Sequence, residues 1–252
     1  MAARGSWISA LAVVLLAPGD AMAEVPDVVA SVKPIHSLVA GIMAGVGEPA
    51  LLVKGNASPH DYALKPSDAA ALENADLVFW VGEGFELFLV RPLQSIADEG
   101  RVVELAETPG LVLLPPREGG LWEPHLDEHS GAEHDEDENH GHGAFDGHLW
   151  LDPHNAKLMT ARIADALAER DPEHSPIYRA NRDALQARLD ALDAELATRL
   201  ESVRGVPFIV FHDAYQYFEK RYRLAGVGSI TVNHEQPPGA GRLLDIQEKI
   251  AA

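Results

Sequence analysis

From residue 25 onward, short apolar runs alternate with stretches of helical periodicity, and this alternation restricts the chain to βα units built on a parallel sheet. Residues 28–32 read as the first strand and 35–46 as the helix that follows. Residues 50–53 read as the second strand, and the loop after it, 54–61, carries Asn56, Ser58, Pro59 and His60. Lys65-Pro66-Ser67-Asp68 opens a helix, with Pro66 or Ser67 near its first turn. Residues 77–81 read as a buried strand and 101–105 as an edge strand.

Further along, the pattern becomes helical. Asp152-Pro153 starts a helix that runs to about Arg170, and the stretch 172–176 interrupts it. The next helix covers roughly 177–203. Its apolar residues Leu185, Leu189, Leu192, Leu196, Leu200 and Val203 recur every three or four positions, lining one face and leaving Arg, Asp and Glu opposite. At 1.5 Å per residue it is about 40 Å long, enough to cross from one lobe to another. It has too few heptads and too little flanking charge pattern for a coiled coil. A second βα pattern follows, with strands at 208–211 and 224–232 and helices at 214–222 and 237–250. That segment is too short for a doubly wound sheet, and Ile250-Ala251-Ala252 carries no helix stop signal, so a truncated C-terminal lobe is expected.

Residues 1–23 have the layout of a secretory signal peptide. Arg4 gives the positive start, 8–16 the short apolar run, and Ala21-Met22-Ala23 a small-x-small cleavage site. The run is too short to span a bilayer. The expected organisation is a signal at 1–23, a first lobe over 24–172 and a linking helix over 173–204. A partial second lobe then covers 205–252. The chain contains no cysteine, which excludes thiolate metal sites, thiol catalysis and iron–sulfur clusters. Any metal must therefore be held by nitrogen and oxygen.

The formal net charge of −19 argues against a nucleic-acid partner. Ten acids and one arginine between Arg117 and Asp146 account for −9 of it, so the acidity belongs largely to a loop at about 117–147. That loop also holds His125, His129, His134, His140 and His142. Imidazoles mixed with carboxylates, without apolar periodicity, read as an accessory metal-collecting tract. Three other histidines stand at loops and strand ends, where open α/β sheets bind their ligands: His60, His148 and His212.

The strings SPHDYALKPSDAAALENADLVFWVGEGFE, GHLWLDPHNAKLMTARIADAL, VFHDAYQYFEKRYRL and TVNHEQPPGAGRL closely resemble periplasmic zinc-uptake solute-binding proteins of the ZnuA type. These are receptors of ABC importers, in a cluster that also includes manganese receptors. The similarity runs from about Val25 to the end, with the His-rich loop in the family's place. It implies an α/β fold of two βα lobes with parallel sheets, joined by one long rigid helix. It implies a periplasmic, monomeric, non-enzymatic receptor that takes Zn²⁺ as its transported ligand and has an inner-membrane permease as partner. The family's three metal ligands fall on His60, His148 and His212. Asp61 and Asp213 read as supporting residues, His154 as a surface helix residue, and His36, His174 and His234 as structural.

Three imidazoles leave one tetrahedral position for a carboxylate or water, which suits zinc. Some zinc members carry Glu just before the first histidine, where this chain has Pro59; manganese members use a carboxylate from a region beyond Ala252. The fourth ligand therefore stays unassigned. The alternatives are a manganese receptor, an extracellular zinc-buffering or adhesion protein using the acidic tract, and a three-histidine zinc hydrolase. The last is disfavoured because no HExxH is present.

Overall fold

The structure is a computed structural model and describes residues 25–96, 100–117, 145–231 and 239–251. A four-stranded parallel sheet has the order β2-β1-β3-β4, from β1 (Val28–Ala30), β2 (Ala50–Leu51), β3 (Leu77–Trp80) and β4 (Val102–Glu104). β1 and β3 are buried at every residue, as parallel strands covered on both faces require. Successive side chains take opposite faces. Val28, Ala30, Leu77, Phe79 and Val103 join α1 (Lys33–Met43) and α4 (Pro153–Arg170) in the larger core cluster. Val29, Val78 and Trp80 pack instead with α2 (Pro66–Asn74) and α3 (Leu87–Ile96). The expected edge strand is β4, at the sheet's margin.

Asp152 caps α4 as its sequence suggests, its carboxylate accepting from the His154 N–H at 2.8 Å. The long helix α5 spans Ser175–Arg199, so Pro176 lies in its first turn, where proline is tolerated, and not in the break before it. A short 3-10 turn, Glu201–Val203, follows it. The leucine stripe is less buried than its periodicity suggests: Leu185 packs on the core, but Leu192 is 45% exposed and Val203 44%. Polar ties replace the missing apolar contact. Asn181 donates to the carbonyls of Ile42 and Ala44 at 2.8 Å each, satisfying the open end of α1. Farther along, Asp193 accepts from Arg221 Nε and Tyr222 Oη, each at 3.0 Å, on α6 (Gln216–Tyr222). α5 thereby touches elements of both lobes.

The second sheet, as described, pairs β5 (Pro207–His212) with β6 (Ala225–Thr231) in parallel, with an irregularity between Phe208 and Ile209. β5 is only partly covered; Phe211 is 67% exposed. α7 (Ala240–Ala251) follows β6.

The corner between α4 and α5 is held by Asp171, which is almost fully buried. It accepts from Tyr178 Oη at 2.7 Å and His174 Nδ1 at 2.7 Å. Burial alone would raise this carboxyl, but those donors outweigh it and hold it below the usual carboxylate range. Tyr178→Phe should therefore lower the unfolding free energy by about 1–3 kcal/mol in urea titration. A depressed native pKa adds stability above the unfolded value and loses it as pH falls through the native one. The gap between the parent and Asp171→Asn should thus be full above about pH 4 and shrink in more acid solution.

Candidate metal centre

Three elements bring one imidazole each to a single cleft. His60 lies in the loop between β2 and α2, His148 precedes the 3-10 turn Leu149–Leu151, and His212 is the last residue of β5. The cleft measures about 540 Å³ and is walled by Phe85, Trp150 and Tyr215 beside the three histidines. His148 is buried, His212 half-buried and His60 exposed. The His148 ring centroid lies 5.8 Å from that of His60 and 5.9 Å from that of His212. Imidazole nitrogens at zinc distance in a tetrahedral site would set those centroids roughly 5 Å apart. Both separations are wider than that. Among the described residues, no three His, Asp or Glu side chains are close enough to grip an ion without moving.

Each histidine is supported locally. The His60 N–H donates to Ser58 Oγ at 3.2 Å, and the Lys33 ammonium donates to the Gly55 carbonyl, tying the loop to α1. Beyond His60, Tyr62 Oη donates to Asp68 at 2.9 Å, and Asp68 accepts from the Lys65 N–H at 3.0 Å. Burial pushes the Asp68 carboxyl up, but these donors at a helix N-terminus win and lower it.

His148 carries the most informative contact. Its Nδ1 lies 2.7 Å from Asp146 Oδ1, which also accepts the His148 backbone N–H at 3.0 Å. With the carboxylate as acceptor, Nδ1 is the donor of this hydrogen bond and Nε2 is the nitrogen left to face a metal. Phe85 sets its ring edgewise against His60 at 4.9 Å, His148 at 5.1 Å and Trp150 at 5.3 Å. Gly147 is required here, because any Cβ would collide with Phe85. The turn presenting Phe85 is clamped by Glu86, whose Oε2 accepts from the N–H groups of Val81 at 2.8 Å and Gly82 at 3.1 Å. Full burial pushes the Glu86 carboxyl up to about 7, with the two N–H donors partly offsetting it.

Next to His212, Asp213 turns towards Arg117, whose Nε meets both carboxylate oxygens at 3.1 and 3.0 Å. Arg117 also donates to Glu219 at 2.7 Å. The Asp213 carboxylate is thus engaged with Arg117, while Asp61 is exposed. Pro59 lines the cleft without a side-chain donor. His154 is exposed on α4, His36 meets the Pro49 carbonyl at 2.9 Å, and His174 pairs with Asp171. His125, His129, His134, His140, His142 and His234 lie outside the described residues.

Sequence reasoning missed Asp146, Phe85, Trp150 and Arg117. Asp146 and Arg117 stand at the ends of the acidic loop, yet their side chains are only 9% and 8% exposed. The Asp-x-His spacing of 146 and 148 was the available signal, and the acid run before it hid it.

Comparison with known proteins bears on the chain as a whole. The family model described as zinc-uptake complex component A, periplasmic, matches residues 28–252. A Brucella abortus protein named high-affinity zinc uptake system protein ZnuA is 44% identical over 248 residues, covering 90% of this chain and 74% of the relative. A crystal structure of ZnuA superposes with a TM-score of 0.73 at 29% identity, covering 90% of this chain and 79% of that one. A ZnuA deletion mutant crystallised with zinc bound gives a TM-score of 0.68 at 28% identity, covering 90% and 77%. A family match across nearly all described residues, with a 44% identical relative, places this chain in the zinc-uptake complex component A (ZnuA) family.

Proposed function

We propose that this chain is a periplasmic receptor that captures Zn²⁺ between its lobes through His60, His148 and His212 and hands it to the permease of an ABC importer. The observation that carries this reading is the convergence of three imidazoles from separate elements on one cleft. Asp146 holds one of them in the metal-binding tautomer. Nitrogen-rich donor sets favour zinc over manganese, which prefers more oxygen. The names of the relatives, high-affinity zinc uptake proteins, support the same cargo. Capture and release need no bond-making step, so no enzymatic activity is proposed. The tract from His125 to His142 would add weaker accessory binding that raises the local ion concentration.

Closer approach of the rings would bring the three nitrogens onto one ion, with water or a carboxylate in the fourth position. Metal binds only deprotonated imidazole, so affinity should fall as the solution is acidified. Calorimetric zinc titration of the chain from Glu24 should find one tight site plus weak binding. The triple variant His60→Ala, His148→Ala, His212→Ala should keep only the weak part. Unchanged tight binding in the triple variant would transfer the metal to the acidic tract and favour a buffering protein. Asp146→Asn should weaken the tight site by roughly 10–100-fold, as loss of an outer hydrogen-bond partner of a ligand does.

A further inference from the structure

Tyr217 lies on α6, in the second lobe, yet its ring is 1% exposed and belongs to the core of the first. Its hydroxyl accepts from the Leu114 N–H at 3.1 Å and donates to the Asp146 carbonyl at 2.7 Å. Those same two residues are joined directly, the Asp146 N–H donating to the Leu114 carbonyl at 2.8 Å. Tyr217 therefore completes a small ladder between the two chain segments that meet behind His148. The neighbouring contacts point the same way: Gln216 Nε2 donates to the Pro115 carbonyl at 3.2 Å, and Arg117 reaches Asp213 and Glu219.

We infer that Tyr217 is a positioning residue for the metal centre, acting from the second lobe on His148 through Asp146. Its hydroxyl holds the Asp146 backbone, and the Asp146 carboxylate then sets the orientation and tautomer of the His148 ring. The same α6 follows directly on the β5 end that carries His212, so one short helix aligns ligands from both lobes. This inference rests on the reading of His148 as a ligand.

The test is a double-mutant cycle on the full chain, with zinc dissociation constants measured by competition against a chromophoric chelator. Tyr217→Phe keeps the ring in the core and removes only the hydroxyl; it should weaken zinc binding roughly 3–10-fold, less than Asp146→Asn itself. In the Asp146→Asn background the same change should cost under about twofold, because the route is already cut. Tyr178→Phe, which loses a comparable buried hydroxyl far from the cleft, should lower stability and leave zinc affinity unaltered. ¹⁵N spectra of the histidines should show protonated Nδ1 at His148 in the parent and a tautomer mixture in Tyr217→Phe. Parent-like affinity in Tyr217→Phe, or an equal loss in both backgrounds, overturns the inference. Parent-like affinity in His148→Ala would instead remove the ligand reading, and the inference with it.

Discussion

The central strands of the first sheet, β1 and β3, are parallel and buried at every residue, which leaves the carboxyl ends of the strands as the place where loops meet a ligand. That constraint assembles the cleft. The loop after β2 carries His60, and the turn after β3 carries Phe85 and Glu86. β5 of the second sheet likewise delivers His212 at its carboxyl end. The helices that cover the sheet close off the other approaches.

What distinguishes this cleft from a generic crevice is that polar contacts, more than apolar packing, tie the second lobe to it. Arg117, buried among Asp213 and Glu219, and Tyr217, bonded to Leu114 and Asp146, couple α6 to the chain behind His148. A buried guanidinium with two carboxylates is costly to bring out of water and costly to break once formed. Such ties hold the lobes in register while the ring-to-ring gaps remain open. The frame around the histidines is thus fixed by buried polar bonds behind the cleft and not by the metal itself.

The fold was largely legible because its elements obey simple periods. β3 is a continuous apolar run buried at every residue, α2 begins at Pro66, and α4 runs from Pro153 to Arg170. The leucine stripe of α5 is periodic but only partly covered, since periodicity reports one-sidedness and not what covers that side. The three histidines that line the cleft are singled out in the sequence by their places at loops and strand ends and by resemblance. Their supports were not, because Asp146 and Arg117 sit at the margins of an acidic run whose composition masks individual roles. Tyr217 was equally hidden: a helical tyrosine looks like core, and only the partners of its hydroxyl reveal the second task.

The central claim, that zinc is held in the cleft by three imidazoles, is most directly tested by zinc K-edge X-ray absorption on the full chain loaded with one equivalent of Zn²⁺. The account predicts a four-coordinate ion with nitrogen or oxygen neighbours at about 2.0–2.1 Å and multiple scattering from three imidazoles. That imidazole signal should collapse when His60, His148 and His212 are replaced by alanine. A spectrum dominated by carboxylate oxygens, or one unchanged by those replacements, would contradict it.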